Sequence, residues 1–229
     1  MSVEAPQFKT TNSRNRISKK ILVVGPPKAG KTLISTFLGE YMGDDSTEFE
    51  LEFYDSYRAT KGVRIVEFES QEFSVEGNRM EIEVQLWDVS GDIKYEDCWP
   101  AIKEGVHGVI LVANPDEHQG ADLQMWYEEF IEKTHLSLDS VLVLLNEMGE
   151  KRTNDGVISD FKIQPPLNSA VCVACNLRFE GQNLKVEVNQ FLISIIMQDD
   201  PHHRKPSSSE SPPPGKAESD ENIDDDDDF

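Results

Sequence analysis

Cysteine is scarce in this sequence: three of its 229 residues are Cys, and their spacing suggests no set of pairs. An odd number without such spacing is typical of a protein from a reducing compartment, where disulfides are rare. Cys172 and Cys175 only superficially resemble a metal motif, because residues three apart on a strand face opposite sides and a four-cysteine site lacks further partners. We therefore expect structural cysteines.

Long apolar runs, lipid-attachment motifs and a surplus of basic residues are missing as well. No run approaches the roughly 18 residues of a membrane span, and no signal peptide opens the chain. Ser2 excludes N-myristoylation, and the chain ends in Phe229 with no cysteine for prenylation. The net charge of −21 disfavours nucleic acids and anionic membranes as partners. We expect a soluble, cytoplasmic protein with no nucleic-acid partner, no lipid anchor and no direct membrane insertion.

The charge is unevenly distributed and indicates three segments. Residues 1–20 contain five Lys and Arg against one acid, whereas residues 199–229 contain eleven acids and three bases. The first segment has no hydrophobic periodicity, and the last is rich in Pro, Ser and acid with almost no core-forming residue. We expect a flexible basic arm over 1–19, a folded domain over 20–198 and a disordered acidic tail over 199–229.

Within the folded domain, strand and helix signals alternate. Strand-length apolar or alternating runs occur at 21–24, 63–68, 80–87, 106–113, 141–145 and 170–174, and helical spacing at 33–42, 95–104, 122–133 and 184–197. The turn composition of 76–79 predicts an antiparallel hairpin, and Pro100 is expected to interrupt its helix. The alternation predicts an α/β domain with a six-stranded, mostly parallel sheet flanked by helices.

The first strand leads into a phosphate-loop pattern, Gly25-Pro26-Pro27-Lys28-Ala29-Gly30-Lys31-Thr32, which is followed by a helix. Glycines allow backbone N–H groups to converge on an anion, and the helix points its positive end at the same place. Lys31 would reach the β- and γ-phosphates, and the Thr32 hydroxyl would hold Mg²⁺. The sequence therefore predicts a nucleoside triphosphate site, unless strand, loop and helix coincide by chance.

A second motif, Asp88-Val89-Ser90-Gly91, follows Trp87 at the carboxyl end of a predicted strand, where α/β sheets bind ligands. Asp88 can hold Mg²⁺ through water, and the Gly91 N–H can meet a γ-phosphate. Together with the phosphate loop one hairpin earlier, this arrangement resembles the Ras superfamily. The Trp-Asp pair and residues 107–112 are similar to its Rab branch.

Four further stretches narrow the resemblance, at 60–65, 98–101, 125–127 and 165–168. They look like the Rab-like small GTPases that serve as subunits of intraflagellar transport complex B. The resemblance covers the folded domain and implies a Ras-like G domain, a P-loop NTPase that binds GTP or GDP with Mg²⁺. It also implies docking on the coiled-coil core subunits of that complex, in the cytoplasm and in the cilium or flagellum and its base.

The resemblance assigns roles to single residues. Thr60 falls where the family has its first switch threonine, which completes the Mg²⁺ set with Thr32 and Asp88. Asp92 stands at the position of the glutamine that orients the attacking water, and a short carboxylate cannot reproduce the amide's donor and acceptor. We expect slow intrinsic hydrolysis and assign no catalytic residue with certainty.

The guanine-reading motif of the family, Asn-Lys-x-Asp, aligns with Asn146-Glu147-Met148-Gly149. Asn146 could bond the base or could simply end a strand, and both interpretations stay open. Gly149 replaces the Asp that accepts from guanine, so guanine preference rests on the resemblance alone. The last family motif aligns with Ala174-Cys175-Asn176, where we expect at most a backbone contact.

Two surfaces and several functions also remain open. Trp99-Pro100 follows the loop at 88–92, which is the second switch region of the family, and is interpreted either as a partner surface or as core. Trp126, Tyr127 and Phe130 are interpreted as core, and His107 as a buried strand residue.

We favour a GTP-binding subunit in which the γ-phosphate orders the loops at Thr60 and at 88–92 for partner docking. The alternatives are a partner-activated cycling GTPase, a nucleotide-independent scaffold, and an ATP-using P-loop enzyme such as a small kinase.

Overall fold

The computed structural model describes residues 15–43, 58–70, 73–75, 78–149 and 157–199, in which the apolar runs pair as one mixed sheet. Its strands are β1 (Asn15–Val24), β2 (Val63–Glu69), β3 (Phe73–Val75), β4 (Asn78–Val89), β5 (Gly108–Ala113), β6 (Val141–Asn146) and β7 (Val171–Cys175). Six strands lie in the order β2-β4-β1-β5-β6-β7, with β2 antiparallel and the others parallel. The predicted six-stranded sheet is confirmed, and the short β3 adds an antiparallel pair with β4.

Helices follow the strands as the alternating pattern predicts. They are α1 (Lys31–Tyr41), α2 (Trp99–Lys103), α3 (Gln124–Tyr127), α4 (Val157–Asp160) and α5 (Leu177–Asp199). Short 3₁₀ turns cover Ile93–Cys98, Gly120–Leu123, Leu138–Ser140 and Leu167–Ser169, and a π turn covers Glu128–Glu132. Among the described helices, none has the length and apolar character needed to cross a membrane.

The alternation of side chains along β1 divides the core into two clusters. Ile21 and Val23 pack on the face that α1 and α5 cover, while Leu22 and Val24 pack on the face that α2 and α3 cover. Successive side chains of a strand point to opposite faces, so both faces of this strand are buried. Every residue of β5 and β6 is buried too, which explains why these strands have continuous apolar sequences.

The first strand begins earlier than the sequence predicts. Residues 15–19, which we assigned to the flexible arm, belong to β1, and Asn15 lies opposite Met80 of β4. The backbone hydrogen bonds of a ladder need no apolar side chains, so the polar Lys19 and Lys20 gave no strand pattern. The rest of the arm (1–14), the tail beyond 199 and most of the loop over 43–61 lie outside the described residues.

The helical segment predicted after the second motif is divided near Pro100, as expected. A 3₁₀ turn ends at Cys98, and Pro100 lies in the first turn of α2, where its missing N–H would have no intrahelical partner. Trp99 is only 5% exposed and packs edge-on against Phe130 with ring centroids 5.1 Å apart. Trp99 therefore lies in the core and is wrongly predicted as a partner surface, whereas Pro100 is exposed, and for Pro100 the partner surface stays a prediction.

Three smaller predictions are corrected or refined. α5 begins at Leu177, seven residues before the predicted start, and is kinked at Glu180; its first turn shows no core periodicity because Arg178 and Phe179 are exposed. His107 precedes β5, is half-buried, and its Nδ1 accepts from the Lys20 N–H at 3.1 Å. The helix predicted over 122–133 is divided into 3₁₀, α and π pieces, although its predicted core residues are buried: Leu123, Trp126, Tyr127, Phe130 and Ile131.

Cys172 is half-buried and Cys175 is buried, as expected for structural cysteines, whereas Cys98 is exposed. All three are free thiols, and burial raises the pKa of Cys172 to about 11 and that of Cys175 to about 12. Such thiols stay protonated at neutral pH and are poor nucleophiles and ligands. In the described part of the chain, no group of His, Cys, Asp and Glu side chains could hold a metal ion by itself.

Replacing Phe130 by alanine should lower the free energy of unfolding by about 3–5 kcal/mol, because the ring is completely buried against Trp99 and Trp126. The control is Phe179→Ala, since Phe179 is 42% exposed and its loss should change the same quantity by less than about 1 kcal/mol. Urea denaturation followed by circular dichroism measures both. Equal destabilisation by the two variants would contradict the core assignment.

Candidate functional site

The candidate site lies where the carboxyl ends of β1, β4 and β6 meet at one edge of the sheet. The phosphate loop follows β1, Asp88 is the second-last residue of β4, and Asn146 ends β6. Parallel strands place their carboxyl ends at the same edge, and the antiparallel β2 brings the preceding Thr60 to that edge as well. The fold thus brings together the residues that the sequence singled out.

The phosphate loop has the backbone of an anion-binding turn. Gly25, Lys28 and Gly30 have positive φ angles of 139°, 64° and 87°, which turn successive N–H groups toward the concave side. A Cβ on Gly25 would lie 2.1 Å from the Val112 carbonyl oxygen, and one on Gly30 would lie 2.0 Å from Nδ2 of Asn146. Glycine is therefore required at both positions by the backbone angle and by the available space.

The side chains of the other loop residues differ in exposure. Pro26 and Ala29 are buried, whereas Pro27 and Lys28 are exposed. Lys31 is the first residue of α1 and is 6% exposed, and its Nζ donates to the carbonyl oxygens of Gly25 and Pro26 at 2.7 Å each. The ammonium group is therefore held within the loop.

Two opposing effects set the protonation of Lys31. Burial lowers the pKa of Lys31 to about 8, although the Asp88 carboxylate acts in the opposite direction. A desolvated ammonium gains more from a neighbouring anion than a solvated one does. The electrostatics of this position therefore favour a bound phosphate.

Three hard oxygen donors converge next to the phosphate loop. The Thr32 hydroxyl donates to Oδ2 of Asp88 at 2.8 Å and lies 2.7 Å from the Thr60 hydroxyl, which donates to the same Oδ2 at 3.3 Å. Asp88 is completely buried, and its Oδ1 has no hydrogen-bond partner among the described residues. Hydroxyl and carboxylate oxygens are the ligands that Mg²⁺ prefers, so these residues fit the ion that the family resemblance implies.

The charge of Asp88 is balanced by its surroundings. Burial raises the pKa of Asp88, while the hydrogen bond from Thr32, the charges of Arg64 and Lys31, and the hydrogen bond from Thr60 lower it. The Arg64 Nε lies 3.9 Å from Oδ2, so β2 contributes a cation to the same carboxylate. A buried carboxylate with one unpaired oxygen is suited to a divalent cation.

The second motif lies directly against the first. A Cβ on Gly91 would lie 2.6 Å from the Pro27 nitrogen and 2.7 Å from Nζ of Lys31. The Ser90 N–H donates to the Gly62 carbonyl oxygen at 2.8 Å, and the side chain of Val89 is buried in the core. Val89 can therefore contribute only its backbone to a ligand, and Gly91 leaves room for the loop.

Asp92 caps the 3₁₀ turn that follows. Its carboxylate accepts the Lys94 N–H at 3.1 Å and lies 2.5 Å from Nζ of the same residue, and these contacts lower the pKa of Asp92. The Asp92 N–H in turn donates to the Ser90 hydroxyl at 3.2 Å. An ionised carboxylate has no proton to donate, so Asp92 lacks half of the hydrogen-bonding capacity of glutamine.

Asn146 does more than end a strand. It is 1% exposed, and its Nδ2 donates to the Ala29 carbonyl oxygen at 3.2 Å, which ties β6 to the phosphate loop. Its Oδ1 is buried and finds no partner in the described part of the chain. One buried acceptor at the carboxyl end of β6 is therefore left unpaired by the described residues.

Gly149 is held by a contact that the sequence did not reveal. Its carbonyl oxygen accepts from Nδ2 of the buried Asn176 at 2.8 Å, and a Cβ on Gly149 would meet nothing within 4 Å. Asn176 also caps α5, because its Oδ1 accepts the Arg178 N–H at 3.1 Å. The side chain of Asn176 is therefore engaged within the protein, and the prediction of at most a backbone contact from this motif to a ligand stays a prediction.

His118 is a second residue that sequence reasoning missed. Its Nε2 lies 2.9 Å from the Pro27 carbonyl oxygen, across 91 residues of sequence. No motif marks this histidine, and its only signal is its place in the polar turn that begins at Asn114, after β5.

Replacing Gly91 by alanine should lower the free energy of unfolding by about 1–3 kcal/mol, because the added methyl group forces the phosphate loop and Lys31 to move. The matched control is Gly43→Ala, whose Cβ would lie 3.5 Å from the Glu69 carbonyl oxygen in ordinary contact. Urea denaturation without added ligand measures both variants. A Gly91→Ala variant as stable as the control would show that the two motifs are not in contact.

Comparison with known proteins agrees with this geometry. The Roc family (Ras of Complex, Roc, domain of DAPkinase) matches residues 20–149. Intraflagellar transport associated protein 2 of Caenorhabditis elegans is 51% identical over 201 residues, covering 79% of this chain and 80% of the relative. Intraflagellar transport protein 22 homolog of Rattus norvegicus is 36% identical over 181 residues, covering 79% and 91%.

Solved structures have the same fold. The GTP-bound crystal structure of Trypanosoma brucei IFT22 is 24% identical, with a TM-score of 0.55 over 79% of this chain and 97% of that one. The GTP-bound T. brucei IFT22/74/81 structure is 25% identical, with a TM-score of 0.53 over 80% and 99%. With these matches and the geometry of its two nucleotide motifs, the chain belongs to the intraflagellar transport protein 22 family, whose members have a Ras-like small GTPase domain.

Proposed function

We propose that this protein binds GTP and GDP together with Mg²⁺, and that the triphosphate form docks on partner subunits of the intraflagellar transport machinery. The observation that carries the proposal is the convergence of the Lys31 ammonium with the oxygen atoms of Thr32, Thr60 and Asp88 beside an anion-binding turn. This set supplies a cation for phosphate oxygens and hard ligands for a divalent ion, within one buried edge of the sheet.

Each residue has one task in this proposal. The N–H groups of the loop and Lys31 bind the phosphates, and the hydroxyls of Thr32 and Thr60 with the Asp88 carboxylate hold Mg²⁺. When bound, Mg²⁺ neutralises charge on the β- and γ-phosphate oxygens. Because Thr60 lies before β2, binding at its hydroxyl would also order the segment that leads into this edge strand.

Base recognition in this chain depends on few groups. The unpartnered Oδ1 of Asn146 can accept a hydrogen bond, whereas Gly149 offers no carboxylate to the two donors on guanine. Support for guanine comes from the T. brucei relatives, whose structures contain GTP and GDP. We therefore expect a preference for GTP over ATP that is weaker than that of a G protein with the Asp.

A direct link between the two loops supports a nucleotide-dependent surface. The Ser90 N–H donates to the Gly62 carbonyl oxygen at 2.8 Å, so the segment after Thr60 and the segment around Gly91 move together. Ile65 and Ile93, next to these segments, are 49% and 53% exposed. A γ-phosphate that holds Thr60 and Gly91 would therefore fix the segments next to these exposed apolar side chains, on which a partner can dock.

We infer the partners of this protein from those of its relatives. T. brucei IFT22 forms a complex with proteins named 74 and 81. We infer that this protein binds the corresponding coiled-coil subunits of complex B, and that it acts in the cytoplasm and in the cilium or flagellum. In this proposal the domain is a nucleotide-binding subunit over 20–198, extended at its start by the strand residues 15–19.

Replacing Lys31 by alanine should weaken GTP and GDP binding at least about 100-fold, because the main cation of the phosphate site is lost. Lys133→Ala is the control, since this exposed lysine pairs with Glu129 in the π turn that follows α3. Equilibrium titration with fluorescent GTP, GDP and ATP measures the affinities. A variant that bound as tightly as the control would contradict a phosphate-binding role for Lys31.

The same variant separates a switch from a scaffold. In our proposal, Lys31→Ala also reduces co-elution with the purified coiled-coil subunits on gel filtration, because Thr60 and Gly91 lose the γ-phosphate. Undiminished co-elution would instead favour the nucleotide-independent scaffold. A large rise in hydrolysis on adding the partner would favour the partner-activated GTPase.

Intrinsic GTP hydrolysis should be slow, below about 10⁻⁴ s⁻¹, and Asp92→Gln should raise it about tenfold, because the longer amide can orient water. Asp92→Asn is the matched control: it removes the charge and can still cap the turn at Lys94, but its side chain is as short as that of aspartate. Single-turnover phosphate release measures all three proteins. Equal rates in the two variants would show that reach is not the limiting property.

A further inference from the structure

The carbonyl groups of the phosphate loop pose a structural requirement of their own. An anion site made of N–H groups works only if the neighbouring carbonyl oxygens point away from the anion and find donors elsewhere. Four of these oxygens accept from groups inside the recognised motifs or from α1. Their pairs are Gly25 and Pro26 with Lys31 Nζ, Ala29 with Asn146 Nδ2, and Gly30 with the Ile34 N–H.

The Pro27 carbonyl is different, because its donor lies outside every motif. The Nε2 of His118 lies 2.9 Å from it. This carbonyl shares a trans peptide with the Lys28 N–H, and the two bonds of a trans peptide point in opposite directions. Holding the oxygen outward therefore directs the Lys28 N–H toward the concave side of the loop.

The peptide between Pro27 and Lys28 particularly needs a hydrogen bond that fixes its orientation. The φ angle of Lys28 is 64°, in the left-handed region that is unfavourable for a residue with a Cβ. Pro26 and Pro27 before it have no N–H groups, so the first N–H that the loop can offer after Gly25 is that of Lys28. The orientation of this one peptide therefore matters more here than in a loop without prolines.

The contacts of the His118 imidazole favour a proton on Nε2. Its Nδ1 lies 3.1 Å from both the backbone nitrogen and the carbonyl oxygen of Asn114, and Nε2 lies 2.9 Å from the Pro27 oxygen. Because the Pro27 oxygen can only accept and the Asn114 N–H can only donate, a ring with its proton on Nε2 and a free lone pair on Nδ1 satisfies both groups. The turn that carries the ring is fixed to the end of β5, because the N–H groups of Glu117 and His118 both donate to the Asn114 carbonyl oxygen, at 3.0 and 2.9 Å. The donor is therefore pre-positioned by the sheet.

We propose that His118 is a positioning residue for nucleotide binding: through the Pro27 carbonyl it orients the Lys28 N–H toward the bound phosphates. The inference rests on the proposed nucleotide binding and assigns to His118 a share of the affinity for the phosphate groups. It predicts that the affinity depends on a donor at the place of Nε2, and not on the imidazole as such.

Two substitutions separate the two contacts of the ring. His118→Gln places an amide donor near the position of Nε2, so it can keep the contact with Pro27 and loses that with Asn114. His118→Asn ends near the position of Nδ1, so it can keep the contact with Asn114 and loses that with Pro27. His135→Asn is the control, because His135 is exposed and its φ of 56° suits asparagine.

The experiment measures the dissociation constant and dissociation rate of fluorescent GDP from the full chain with Mg²⁺, together with urea unfolding without nucleotide. His118→Asn should raise the dissociation constant about fivefold, as expected for the loss of one partly exposed hydrogen bond, while His118→Gln stays within about twofold of wild type. His135→Asn should match wild type. The order of affinities should hold whichever His118 variant unfolds more easily.

Three outcomes decide against the inference. Wild-type affinity in His118→Asn, or an equal loss in both His118 variants, would overturn it while nucleotide binding by the wild type stands; the second result would mean that His118 only supports the turn at Asn114. A wild-type protein that binds no nucleotide would overturn the proposed function and this inference with it.

Discussion

Nine residues of β1 pair in parallel with β4, from Asn15 opposite Met80 to Val23 opposite Asp88. This pairing places the end of β1, from which the phosphate loop departs, beside the carboxylate of Asp88. The hydrogen bond of 2.8 Å between Thr32 and that carboxylate, across 56 residues of sequence, is its direct result. A shift of the register by one residue would turn Asp88 to the other face of the sheet and separate the two motifs.

The buried charges at this edge stabilise one another and are suited to a charged ligand. Burial lowers the pKa of Lys31 and raises that of Asp88, so each group is less stable in its charged form than it would be in water. Lys31 and Asp88 carry opposite charges and attract each other, and the Arg64 Nε adds a second cation 3.9 Å from the Asp88 carboxylate. A phosphate and a divalent ion together would satisfy both groups, which is why we propose a nucleotide with Mg²⁺ for this site.

The residues proposed to bind the phosphates match the motifs of the Ras superfamily more closely than the residues proposed to bind the base. On the phosphate side, glycine, lysine and hydroxyl groups occupy the expected places and contact one another. On the proposed base side, Gly149 offers no carboxylate, and the buried Asn176 donates to its carbonyl oxygen. Asp92, where the resemblance places the water-orienting glutamine, is a carboxylate engaged by Lys94. Binding and switching are therefore better supported by this site than fast hydrolysis.

Local sequence determined the strand–loop–helix around Lys31, the continuous apolar strands β5 and β6, and the buried face with Trp126 and Phe130, because periodicity and glycine spacing are properties of neighbouring residues. The six-stranded, mostly parallel character of the sheet followed from the alternation of elements together with the family resemblance, whereas the order of its strands came from the structure. Only the tertiary structure decided the early start of β1, the burial of Trp99, and the contacts of Asn176 with Gly149 and of His118 with Pro27. The two side-chain contacts join residues 27 and 91 positions apart, and such distant pairs form only when the sheet has brought its strand ends together.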